Sequence, residues 1–216
     1  MRIAVLGTGI VGRTIGTRLV GLGHEVMMGS RTADNVDAGA WVASAGAGAS
    51  AGTFADAAAF GDLVFNCTAG AASLEALGRA RSENLARKTL VDVANHLDFS
   101  QGVPPNVVVS PTDSLGEQIQ HVFPDAHVVK TLNTINCNVM VDPARVPGEH
   151  DVFVCGNDPA AKAEVVDLLE SFGWPAERIL DLGDISAARG VEAYVQLWLR
   201  FLGATGTNDL NIRIVS

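Results

Sequence analysis

The first dozen residues constrain this chain more than any other part of it. The apolar run Arg2-Ile3-Ala4-Val5-Leu6 stops on Gly7-Thr8-Gly9-Ile10-Val11-Gly12, and a helical pattern opens at once. Glycines at G-x-G-x-x-G spacing between a strand and a helix place a dinucleotide diphosphate on a helix N-terminus. Each glycine has its own reason. Gly7 permits the tight turn, Gly9 removes a side chain where the diphosphate approaches the backbone, and Gly12 lets helix and strand pack closely. Thr8 sits between the first two, within reach of a phosphate. The free N–H groups and helix dipole near Ile10 and Val11 then face the anion.

The second strand ends about 20 residues on, where an NAD site places a carboxylate on the ribose hydroxyl. Here the residues are Met28-Gly29-Ser30-Arg31-Thr32. A carboxylate would repel a 2′-phosphate. Arg31 instead binds one through charge-assisted hydrogen bonds, with Ser30 and Thr32 adding donors. The expected cofactor is NADP(H).

Apolar, β-branched runs alternate with helical stretches through the rest of the chain, the pattern of a parallel sheet covered by helices. Strands are expected over 2–6, 25–28, 50–53, 63–66, 89–93, 127–130 and 152–155, and helices over 10–22, 33–45, 73–86, 113–122 and 159–172. The implied fold class is α/β, a doubly wound, mostly parallel sheet of the Rossmann type. At 216 residues, one domain over 1–216 is the natural reading. The segment 97–105 reads as a turn-rich loop bordering the site. A final apolar helix over 184–202 leaves little polar face in Val191, Tyr194, Val195, Leu197, Trp198, Leu199, Phe201 and Leu202. Either the chain's own sheet and loops cover that helix or a second subunit does, and the helix and tail, 184–216, are expected to form the contact of a homodimer.

Composition excludes several partners. A net charge of −9 disfavours nucleic acid and anionic membrane surfaces, which demand clustered cations. No apolar run reaches the roughly 18 residues needed to span a bilayer. The three cysteines, Cys67, Cys137 and Cys155, lack disulfide or metal-ligand spacing, so no metal is expected. They suit the reducing cytoplasm, the expected location.

Gly7-Thr8-Gly9-Ile10-Val11-Gly12, Gly23-His24-Glu25-Val26, Gly29-Ser30-Arg31, Val154-Cys155-Gly156-Asn157-Asp158 and Leu180-Asp181-Leu182-Gly183-Asp184 together resemble the NADPH-dependent deazaflavin (coenzyme F420) reductases. The likeness extends to Ala187-Ala188-Arg189-Gly190-Val191-Glu192 and the tail. The fold of that family also forms the cytosolic NADPH-binding domain of membrane metalloreductases. The resemblance implies a two-electron hydride exchange between NADPH and a deazaflavin or flavin, usually by a homodimer. The chain departs from the family after the fourth strand, where Cys67-Thr68-Ala69-Gly70 replaces a Pro and aromatic pattern, and its later pocket segment is Leu132-Asn133-Thr134-Ile135-Asn136.

Hydride transfer between two flat cofactors asks for positioning more than for an acid or base. The expected hydride pocket is therefore Ala69 and Gly70, small residues after the fourth strand, with Asn133 and Thr134 after the sixth as hydrogen-bonding groups, and Thr68 beside the cofactor. His96 and Cys137 are further candidates for the lining. His24 and His127 read as structural. Lys130 opens a rival reading, proton donor in a small hydroxy-acid dehydrogenase, although little chain remains for such an enzyme's substrate domain. The same residues also fit a ferric or flavin reductase, or a non-catalytic NADP-sensing module.

Overall fold

The computed structural model describes residues 1–215. The first half runs β1 (Arg2–Leu6), α1 (Ile10–Gly21), β2 (Glu25–Ser30), α2 (Val36–Ala45), β3 (Ala49–Thr53), α3 (Phe54–Phe60), β4 (Leu63–Asn66), α4 (Gly70–Ala80), α5 (Ser82–Leu85) and β5 (Thr89–Asp92). A small antiparallel hairpin of β6 (Leu97–Asp98) and β7 (Asn106–Val107) follows. The second half holds α6 (Leu115–Val122), β8 (His127–Thr131), α7 (Cys137–Val141), β9 (Val152–Gly156), α8 (Pro159–Phe172), β10 (Ile179–Asp181) and α9 (Ala188–Thr205).

Eight strands form one sheet in the order β3-β2-β1-β4-β5-β8-β9-β10. All neighbours are parallel except β8 and β9. The doubly wound, mostly parallel sheet expected from the sequence is therefore present. Strand alternation feeds two cores. Ile3, Val5, Leu63 and Phe65 point into the layer under α1, α2, α7 and α8, while Ala4, Leu6 and Val64 point into the layer under α3, α4 and α6. Chain order reverses between β1 and β4, which opens a crevice at their carboxyl ends.

Several expected elements differ in the structure. The helix expected over 73–86 begins earlier, at Gly70, and breaks at Arg81, whose φ of 72° is left-handed. Elements not expected from the sequence are α3, whose capping box Thr53-x-x-Asp56 is the available signal, short α7, edge strand β10, and the hairpin whose strands β6 and β7 lie at the start of the expected 97–105 loop and just past its end. The final helix is covered on one face only. After a 3₁₀ turn at Ile185–Ala187, α9 buries Val191, Glu192 and Val195 on its own chain and exposes Ala193, Gln196, Leu197, Arg200 and Phe201. Covering one face of a helix within the chain requires only a stripe of apolar residues.

A charged triad sits where the two halves meet. Lys130 on β8, fully buried, places Nζ 2.7 Å from Asp92 Oδ2, 2.6 Å from the Ala94 carbonyl and 3.0 Å from Glu192 Oε1. Those are all three of its N–H donors. Burial pushes its pKa down, but the Asp92 and Glu192 carboxylates outweigh that and hold it above the ordinary value. Glu192 also accepts from the Leu115 and Gly116 N–H groups, at 2.9 and 3.0 Å, and so caps α6 from α9. Glu192→Ala would leave a buried ammonium and two helix N–H groups short of a partner. It should cost roughly 3–5 kcal/mol in urea denaturation. A loss below about 1 kcal/mol, the size expected of an exposed pair, would contradict this account.

Candidate functional site

A cleft of about 330 Å³ opens at the carboxyl ends of β1, β2 and β4. Gly7, Thr8, Gly9, Ser30, Arg31, Cys67, Thr68 and Ala69 line it, so the chain brings together residues that the sequence placed at the two ends of a dinucleotide. A larger groove of about 660 Å³ lies over α1 and α2, beside Arg13, Thr17 and Trp41. It is more open and touches the turn only at Ile10, with none of its glycines, so its size does not make it the better site.

Each glycine of the turn has a distinct surrounding. Gly7 adopts φ +118°, and a Cβ there would lie 2.7 Å from the Cys67 carbonyl oxygen. A Cβ on Gly12 would collide with the Gly7 carbonyl. Gly9 differs: a Cβ there would meet no protein atom within 4 Å. Two of the glycines are thus required by the fold, and the third leaves open space facing the cleft. Helix starts differ as well. Asn35, Thr53, Ser114, Asn136 and Asp158 cap α2, α3, α6, α7 and α8 with side chains, whereas α1 and α4, which open on the cleft, have no side-chain cap and no acidic residue in the first turn, a property they share with α9 outside it. The α1 N–H groups remain free for an anion, whereas in α4 the Gly70 N–H donates to the Asn95 carbonyl and the Ala72 N–H to the Ala69 carbonyl. A diphosphate fits this cradle.

At the ribose end, Arg31 is exposed and lines the cleft. Ser30 is buried and donates its hydroxyl to the Thr32 carbonyl at 2.5 Å, and Thr32 is exposed and does not line the cleft. Ile10, Val11 and Gly12 contribute backbone and packing: Ile10 is 65% exposed on the outer groove, and Val11 packs on the core. Sequence reasoning missed Asn35, Phe54, Glu75 and Arg79, which also line the cleft. The helical spacing of Ala72, Glu75, Ala76 and Arg79 is the available signal for the last two.

Of the expected hydride pocket, Thr68 and Ala69 line this cleft and Gly70, Asn133 and Thr134 do not. Thr68 donates to Asn66 Oδ1 at 2.7 Å, and Asn66 in turn donates to Asp92 Oδ1 at 2.8 Å, which links the cleft to the buried triad. Gly70 is the first residue of α4 and is packed on backbone, a Cβ there lying 2.5 Å from Asn95 atoms. Its lack of bulk is a requirement of the fold. Asn133 exchanges hydrogen bonds with Asn95 and donates to the Val191 carbonyl at 3.0 Å, so both of its N–H groups are committed. Thr134 Oγ1 is buried without a partner among the described residues. His96 borders a separate cavity of about 90 Å³ near Ser114 and Glu192. Cys137 is buried at the start of α7. Burial pushes the Cys67 thiol far up and the Cys155 thiol up to about 12, which removes thiolate character from both.

The glycine geometry separates binding from folding. Gly9→Ala should leave the thermal midpoint unchanged and weaken dinucleotide binding roughly tenfold by calorimetry. Gly12→Ala should instead cost about 1–3 kcal/mol of stability through overpacking. Equal destabilisation by the two substitutions would refute the distinction.

Comparison with known proteins places this architecture. The family model described as NADP oxidoreductase, coenzyme F420-dependent, matches residues 2–96. The F420-dependent NADP reductase of Methanocaldococcus jannaschii is 29% identical over 206 residues, 91% of this chain and 90% of that protein. The metalloreductase STEAP3 of Rattus norvegicus is 29% identical over 89% of this chain but only 36% of its own length. A crystal structure of a candidate F420-dependent NADP reductase from Arthrobacter sp. FB24 is 51% identical, covers 99% of both chains and superposes with a TM-score of 0.92. With fold, glycine turn and near-complete overlap in agreement, the chain belongs to the coenzyme F420-dependent NADP oxidoreductase family.

Proposed function

We propose that this protein passes a hydride between NADPH and a deazaflavin of the coenzyme F420 type. The observation behind this reading is the cleft itself: an uncapped helix start over a glycine cradle, with Arg31 and no carboxylate at the end of β2. When bound there, NADPH supplies the two-electron chemistry. The chain's residues bind and orient. The α1 N–H groups take the diphosphate, Arg31 takes the 2′-phosphate, and Thr68 and Ala69 form the wall past which the nicotinamide end extends. No side chain is asked to move a proton.

Lys130 does not favour a hydroxy-acid dehydrogenase. Its three N–H groups are spent on Asp92, Ala94 and Glu192 in a fully buried site, leaving none for a forming alkoxide. The acceptor is tested by following NADPH absorbance against deazaflavin F420, FMN, FAD and ferric citrate. We expect rapid oxidation with F420 and rates lower by at least about a hundredfold with the others. Preferred oxidation with a flavin or ferric acceptor would overturn the deazaflavin assignment, and no oxidation with any would favour an NADP-sensing role.

A homodimer through α9 belongs to the same reading. Leu197 and Phe201 are 50% and 37% exposed, and Leu197 shares a groove with Pro104, Pro105 and Val107. A second copy of the chain covers such a patch in an isologous contact. Among the described residues no helix is long and apolar enough to cross a membrane, so a bilayer-spanning role for α9 does not compete. Sedimentation should give twice the chain mass, and Leu197→Glu with Phe201→Glu should return it to one. A monomer at micromolar concentration in the unmutated protein would refute the dimer.

A further inference from the structure

The cleft holds a second cation that neither the glycine turn nor β2 supplies. Ala72, Glu75, Ala76 and Arg79 lie on one stripe of α4, three and four residues apart, and all four face the cleft that Arg31 and Ser30 border. At about 1.5 Å of rise per residue, Arg79 stands roughly 10 Å along the helix from Ala72, away from the β4 turn, and lines the same cleft as Arg31. Ala72 and Ala76 are small and leave a flat wall between them. Arg79 is the cation at the end of that wall.

Arg79 is already held. Its Nε donates to Glu75 Oε1 at 3.0 Å, and its Nη2 lies 2.8 Å from the same oxygen. The side chains of Arg79 and Glu75 are 52% and 67% exposed, so solvent screens the pair and it is easily parted. A carboxylate in a cleft shaped for a polyanion is otherwise unfavourable, since it repels every phosphate that enters. Holding an arginine in position gives Glu75 a reason to be there.

We propose that Arg79 is a second recognition residue for the 2′-phosphate, opposite Arg31, and that Glu75 is the carboxylate it leaves when the phosphate enters. The proposal rests on the NADPH reading above. A phosphate near neutral pH offers close to two charges and three acceptor oxygens against the single charge of Glu75, and guanidinium geometry matches it in bidentate fashion. A dinucleotide without that phosphate gives Arg79 nothing to exchange for Glu75. Arg79 thereby acts on the choice between the two nucleotides and not on dinucleotide binding in general.

Calorimetric titration of the full chain with NADPH and with NADH tests this. The unmutated protein should prefer NADPH by about a hundredfold, and Arg79→Gln should weaken NADPH about tenfold while leaving NADH within about twofold. Glu75→Gln should tighten NADPH about threefold and leave NADH unchanged. Both positions are exposed, so the variants keep the thermal midpoint of the unmutated protein. If Arg31→Gln erodes the preference and Arg79→Gln does not, the NADPH reading stands and the role of Arg79 falls. Equal weakening of both nucleotides by Arg79→Gln also overturns it, because the contact would then be to the shared adenosine. No preference in the unmutated protein overturns both readings.

Discussion

The ion triad of Asp92, Lys130 and Glu192 is the interaction on which the arrangement of this molecule depends. Two carboxylates and one ammonium leave a net negative charge inside the protein, and such a group survives burial only with every partner in place. The partners come from everywhere the fold must be joined. Asp92 ends β5, Lys130 is on β8, and Glu192 reaches in from α9 to take the first two N–H groups of α6, while Ser114 takes the third. The positive end of α6 offsets part of the excess charge. Asn66 and Thr68 continue the chain of hydrogen bonds to the cleft wall. The cleft, the centre of the sheet and the last helix therefore form one polar structure.

A second constraint is what the site lacks. Side-chain caps satisfy the starts of α2, α3, α6, α7 and α8, and the absence of one from α1 leaves unpaired N–H groups at the crevice the strand order creates. Gly9 belongs to that set. Its open surroundings contrast with Gly12 and Gly70, where backbone fills the space a side chain would need. Identical residues in and behind one cleft thus answer to different demands, ligand approach in one case and chain packing in the others.

Signals in the sequence are legible where the physics is local. The turn Gly7-Thr8-Gly9-Ile10-Val11-Gly12 and the strand to Arg31 are set by neighbours within a few residues, and the structure brings them into one cleft. Long-range partners are not legible in the same way. Gly70 reads as absent bulk in a pocket because its real neighbour, Asn95, is brought up by β5 and not by adjacent residues. Asn133 reads as free to orient a ligand until Asn95 and the Val191 carbonyl claim both its donors. Arg79 is hidden for the converse reason: an arginine paired at i and i+4 on a helix reads as a solvated surface pair unless the facing wall is known. The antiparallel turn of β9 is hidden too. The segment between β8 and β9 holds only short α7 and a 3₁₀ turn, too little to cross the sheet, so the chain returns beside β8 in the opposite direction.

Charge resolves the remaining tension in the molecule, a protein of net charge −9 shaped to hold a dinucleotide polyanion. At physiological ionic strength the Debye length is about 8 Å, so acidic residues on distant surfaces are largely screened from the cleft. Groups that line it are not. Arg31, Arg79 and the uncapped start of α1 lie within the cleft or at its wall, and Glu75 is the one carboxylate among the lining residues. Local field therefore decides the sign of the site, whatever the sign of the whole surface. Glu75 beside Arg79 obeys the same rule: paired, the two add almost no net charge to the cleft, and only a phosphate at close range distinguishes them.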